Sequence, residues 1–154
     1  MAEYLFQNMK QVNRYLEKQA KIGLEYCAYR AEAKLRELLE ERVYEFEPEI
    51  YERTFELLNS ISRSEVIKVH NSYYVEIYYD TDKIRSYPRD YPLWGQHTDF
   101  SGNDVSYWIP KFIEEGTDNK YYSHKGTNSI EDCKDWIKKE YNRLFRLVIR
   151  AELE

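Results

Sequence analysis

The sequence predicts an α+β fold. It comprises a long N-terminal helix, a small antiparallel sheet with a β-hairpin, a short helix, and a C-terminal helix packed on the sheet. Three observations predict it. Apolar residues recur with the helical period from Leu5 to about Val43. β-Branched and aromatic residues crowd two runs between Glu65 and Tyr79. A second helical stripe runs from Ile130 to Ala151.

In the first element the stripe is Met9, Val12, Leu16, Ala20, Leu24, Cys27, Ala31, Leu35 and Leu38. Its steps average about 3.6 residues, the period of a straight α-helix rather than a heptad supercoil. Lys10, Lys18, Glu32, Arg36 and Glu40 read as the opposite, solvated face, with Glu32 and Arg36 placed as an i, i+4 pair. Gly23 lies off the stripe and predicts a possible bend. A helix of this extent is about 60 Å long, against roughly 30 Å for a small domain. Part of it is therefore expected to project, to break, or to pack on another chain. Pro48 ends the pattern, because the residue before a proline is pushed out of the α region.

Thr54 is placed to cap a short helix through Phe55, Leu58 and Ile61. Glu65–His70 and Tyr73–Tyr79 then predict two strands joined by a turn at Asn71-Ser72. Residues 80–107 are irregular and rich in Asp, Pro, Tyr and Trp. A loop that long is expected to bind something or to cover the core. Tyr87, Tyr91 and Trp94 are its candidate contact residues. Residues 106–117 predict a short helix with Pro110 in its first turn and Gly116 past its end. Residues 119–128 read as polar loop or edge strand, with Lys120, Tyr121, Tyr122, His124 and Lys125 as a small basic-aromatic cluster. The last helix starts near Ser129, with Glu131 and Asp132 where the helix dipole favours acids. The chain is expected to form a single domain over 1–154, organised as 1–46, 47–127 and 128–154.

Composition narrows the function. The 154 residues carry a net charge of −5, which argues against a dedicated binder of phosphate backbones. Sixteen tyrosines suit either a core with exposed hydroxyls or a surface that meets another protein. Cys27 and Cys133 each fall on an apolar stripe and read as buried, reduced thiols. No run approaches the roughly 18 apolar residues of a membrane span, and the start Met1–Phe6 does not read as a signal peptide. His70, His97 and His124 lack zinc-ligand spacing, and Asp80-Thr-Asp82 lacks the rest of an EF-hand loop. Glu114 and Glu115 diverge around a helix and read as a solvated face. No phosphate loop, dinucleotide glycine pattern or nucleophile elbow occurs. The expectation is thus no enzyme, no catalytic residue, no metal and no cofactor.

The most idiosyncratic segment is Tyr51-Glu-Arg-Thr54 with Leu57, Leu58 and Ser60, after Glu47-Pro48. Its order, between a long helix and a hairpin, resembles the head–tail connector family of Gram-positive prophages. Members are labelled neck, tail-completion, tail-component or minor capsid proteins. The resemblance covers most of the chain, although residues 80–107 are longer and more aromatic than the family pattern. It implies a virion structural protein, made in the bacterial host cytoplasm, that assembles as a ring with sister chains and with portal or tail proteins. It also implies that DNA passes the assembly without specific contact, and that no membrane is involved. On this reading Tyr51, Arg53, Thr54, Tyr87, Tyr91, Trp94, Tyr121 and Tyr122 are interface residues. Arg53 would pin the segment after the long helix through a charge-assisted hydrogen bond. A phage-encoded nucleic-acid-binding or host-directed regulatory protein is the alternative, and a small enzyme the third reading.

Overall fold

The computed structural model of the chain describes residues 6–44, 55–84, 101–118 and 123–153. The fold is α+β, with helix α1 at Met9–Leu39 and a π-helical turn at Glu40–Tyr44. Helix α2 spans Glu56–Ser60, followed by strands β1 (Ile61–Arg63), β2 (Ile67–Val69), β3 (Ser72–Tyr74) and β4 (Ile77–Tyr79). After a 3₁₀ turn at Ser106–Trp108 come α3 (Ile109–Glu115), β5 (Gly116–Asp118), β6 (Ser123–Lys125) and α4 (Ser129–Leu153). Among the described residues the strands form three two-stranded ladders: β1 with β4, β2 with β3, and β5 with β6.

The chain divides into two compact units. The first holds Met1–Ala33, Arg63–Ile77 and Lys134–Glu154, and the second holds Lys34–Ser62 and Tyr78–Cys133.

In the first unit the buried residues are small: Cys27, Ala28 and Ala31, with Gln19 and Leu144. Small side chains let another element approach the helix closely. Gly23 is where that happens, because a Cβ there would collide with the ring of Phe145. The expected bend is absent; α1 runs unbroken through Gly23, and the missing side chain is a notch for an aromatic ring. The β2–β3 hairpin pairs Ile67 with Tyr74 and Val69 with Ser72, so its turn is His70-Asn71 rather than the predicted Asn71-Ser72. His70 takes a left-handed conformation, φ 53°, which His and Asn tolerate better than most residues.

In the second unit the core is aliphatic: Leu35, Leu38, Leu39, Leu57, Ile61 and Ile84, with the Cys133 thiol. Each such aliphatic side chain contributes about 1.5–3 kcal/mol when fully buried. The stripe predicted for the first helix thus supplies this core at its C-terminal end. Two expectations fail here. Helix α2 stops at Ser60, and Ile61 begins a strand instead of ending the helix. The run Tyr73–Tyr79 is also two strands, since Val75-Glu76 interrupts it and β4 pairs with β1. Hydrogen bonds continue that pairing, with Asp80 N–H donating to Ser60 O at 2.8 Å. The competing physical term is burial: Ile61 is almost wholly covered in the strand.

Phe55, not Thr54, occupies the position before α2, in a left-handed conformation (φ 57°) and without a side-chain cap. Thr54 itself lies outside the described residues. Helix α3 has Pro110 in its first turn and ends at Gly116, φ 84°, as the sequence predicts. Of the two readings of residues 119–128, polar loop or edge strand, Ser123–Lys125 takes the strand, with His124 opposite Thr117. Both cysteines are buried, and neither forms a disulfide.

Candidate functional site

The eight residues singled out from the sequence are Tyr51, Arg53, Thr54, Tyr87, Tyr91, Trp94, Tyr121 and Tyr122, and all lie outside the described residues. Within the described residues another arginine, Arg36, makes a contact of the kind expected of Arg53. Arg36 leaves α1 and donates from one guanidinium nitrogen to Leu58 O at 2.8 Å and from the other to Ile61 O at 2.7 Å. These carbonyls close α2 and open β1, so a charged donor satisfies backbone groups that the end of a helix leaves orphaned. Sequence reasoning put Arg36 on the solvated face. Its i, i+4 relation to Glu32 drew attention away from the chain that packs over it.

Glu114 is a second reassignment. Its Oε1 accepts from Tyr79 OH at 2.9 Å, and its Oε2 accepts from the backbone N–H of Ile130 at 3.1 Å. A carboxylate from α3 thereby sits at the N-terminus of α4, where the macrodipole favours it. Glu115, its neighbour, remains solvated as expected. Burial, then the adjacent Glu114 carboxylate, pushes the Tyr79 hydroxyl far above its ordinary range, so it stays a donor. Burial likewise pushes the Cys133 thiol up, which makes it a poor nucleophile. Beside this pair, Arg42 donates to Thr127 O at 2.6 Å and pairs with Asp132. The arrangement ties the π turn, α3 and the start of α4 together. Each of these polar groups is engaged with a partner on a neighbouring element.

In the first unit, Glu17 of α1 receives the Lys68 ammonium at 2.8 Å and the Tyr73 hydroxyl. Lys21 and Lys68 both stand 5.3 Å from the centre of the Tyr73 ring. The hydrogen bond from Lys68 and its charge hold the Glu17 carboxyl below its usual range. A cavity of about 260 Å³ is lined by Glu25, Arg63, Ser64, Glu65 and Val75. Arg63, the one cation in that lining, is engaged by Glu32 at 3.5 Å and stands over the Tyr29 ring. Among the described residues no three metal-ligating side chains converge, and no helix is long and apolar enough to cross a membrane.

The described surface carries exposed apolar groups. Met9 and Leu16 are 69% and 57% exposed at the start of α1. In the second unit Phe55 is exposed and stacks on Tyr44, with ring centres 4.8 Å apart. Tyr107, Trp108 and Phe112 form a ladder of rings beside α3, and Lys111 stands 4.9 Å from the Trp108 ring centre. Aromatic residues at the surface were expected, though on other segments. For Met9 and Leu16 the signal that could have found them is the start of the apolar stripe, which runs on beyond the buried positions of α1.

Neither a curated protein nor a solved structure matches the chain. A family model spans nearly the whole described fold, from the first turn of α1 to the last turns of α4. The chain belongs to the YomN family, which matches residues 8–151 and is a phage-associated family named from Bacillus.

Proposed function

We propose that the chain is a structural subunit of the phage particle, of the head–tail connector, neck or tail-completion kind, which assembles as a ring. The observation that carries this reading is the uncovered start of α1. Met9 and Leu16 continue a stripe that is core farther along the helix, yet they face solvent. Large apolar side chains left exposed along a helix stripe are what an assembling subunit presents. A phage-associated family supplies the context. The pins of Arg36 and Glu114 fit the same reading, because they fasten backbone segments to one another. Neighbouring portal or tail proteins would be the companions. The protein would act in the virion, without catalysis, a cofactor or a membrane.

Mass spectrometry of purified particles from an induced lysogen tests this. The chain should be present in stoichiometric amounts and retained through a density gradient. Its absence from particles, with abundant protein in the lysate, would favour the regulatory alternative.

A further inference from the structure

The first half of α1 gathers positive charge in an acidic chain. From Phe6 to Leu24 the chain holds four cations and one acid, Glu17, although the whole sequence carries −5. Lys10, Arg14 and Lys18 are exposed. They recur every four residues, so each stands about 6 Å along the axis from the last and only ~40° round it. Lys21, also exposed, follows on the same side. Among the described residues Lys10, Arg14 and Lys18 have no ion-pair partner. Lys10 lies in a first turn that holds no acid, where the macrodipole disfavours a cation. Like charges four apart on a helix also repel. The row therefore costs helix stability, and no contact within the described fold offsets it. Glu17, the acid on this side, is engaged by Lys68 and by the Tyr73 hydroxyl, so Lys68 brings a further positive group beside the row.

The makeup of this side selects the partner. Within about 60° of Arg14 round the helix stand Lys10, Gln11, Glu17 and Lys18, and no apolar side chain. Met9 and Leu16 project at least ~100° away from each of the three unpaired cations. A protein interface has an apolar centre, and this side has none. A phosphate backbone needs only cations at regular spacing. A membrane surface takes a helix whose apolar face is free along its length, whereas farther along α1 Gly23, Cys27 and Ala31 are packed within the fold. We infer that Lys10, Arg14 and Lys18 form a contact for the phosphate backbone of duplex DNA, made without regard to base sequence. The net charge argues against a protein devoted to DNA but not against a local contact. Ordinary salt limits the reach of an exposed charge to about 8–10 Å, so remote acids do not cancel the row. The inference stands apart from the assembly reading, since a particle subunit and a free protein can both carry this contact.

Fluorescence anisotropy of the full chain on two labelled duplexes of unrelated sequence, across salt, tests this. Wild type should bind both duplexes equally. Its log affinity should fall with log salt at a slope of about −2.7, as three phosphate contacts release their counterions. Lys10→Gln, Arg14→Gln and Lys18→Gln together should abolish binding, and each single change should flatten the slope by about 0.9. Circular dichroism checks folding, and the single variants carry the test if the triple variant folds poorly. Lys138→Gln, Lys139→Gln and Arg143→Gln together remove as much charge from exposed positions of α4, beside Asp135 and Glu140, and should leave binding unchanged. Wild type that binds neither duplex at low salt overturns the inference, whatever particle composition shows. So does binding that the triple variant retains, or that the α4 variant loses equally. Capture of phosphatidylglycerol vesicles without duplex assigns the cations to lipid and overturns it too.

Discussion

The two units of the chain are held in different ways. The second packs leucines and isoleucines and ties its backbone with part-buried polar groups, Arg36 on two carbonyls and Glu114 between Tyr79 and Ile130. The first packs alanines, a cysteine and a glycine notch, and fastens its hairpin through Glu17, Lys68 and Tyr73 at the surface. The same residue types thus do unequal work. An ion pair in water gains little beyond what hydration already supplied. A donor facing carbonyls away from water leaves them stranded if it is removed. Burial, not charge, ranks these contacts, and the two units offer the comparison within one chain.

The largest effect should come from the aliphatic core. Leu39→Ala, at a wholly covered position, should cost about 2–5 kcal/mol in chemical denaturation, mostly through the cavity it leaves. A loss below about 1 kcal/mol would mean that the second unit repacks freely, and the contrast would weaken. Next comes Arg36→Met, which keeps the apolar stem and removes the donors to Leu58 O and Ile61 O. The expected cost is about 1.5–3 kcal/mol, the range for hydrogen bonds to a charged group. An unchanged melting temperature would assign Arg36 to the surface after all.

Gly23→Ala tests the first unit. The added methyl meets the Phe145 ring, and overpacking of this sort costs about 1–3 kcal/mol. Pairing it with Phe145→Leu should recover part of the loss, and strict additivity of the two would deny their contact.

Two titrations probe the polar groups. The raised Tyr79 hydroxyl is neutral in the fold, whereas an unfolded tyrosine ionises near pH ~10. Its contribution is therefore complete below that pH and fades above it, and Tyr79→Phe should flatten this alkaline decline. Glu17 has the opposite sign. Its lowered carboxyl contributes above the ordinary carboxylate range, and the contribution is lost as pH falls through the lowered value. Because the Glu17 side chain keeps contact with water, the smallest effect belongs here. Glu17→Gln should alter the acid limb slightly at low salt and not at all at high salt. A large, salt-independent change would erase the distinction between the units.

Much of this architecture was legible in the residues themselves. The stripe through Leu35 and Leu38, the stop at Gly116 and the acids opening α4 at Glu131 and Asp132 are local signals, each set by a period, a backbone preference or a dipole. The β2–β3 hairpin was visible too, apart from its turn. The interface residues read from the sequence fall on other segments from the aromatics that the described fold exposes. Local pattern says that a tyrosine suits a surface but not which one is left uncovered.

What the sequence determined alone was therefore the set of elements and the apolar face of each helix, because those depend on residues within a turn or two of one another. The tertiary structure decided the rest. Only there does Ile61 become a strand residue paired with the distant β4, does Gly23 become a socket for Phe145, and do Arg36 and Glu114 turn from solvated charges into anchors for backbone groups. Each of these depends on a partner far away along the chain. The free energy of a charge or a gap is set by what surrounds it, and the surroundings exist only once the chain has folded.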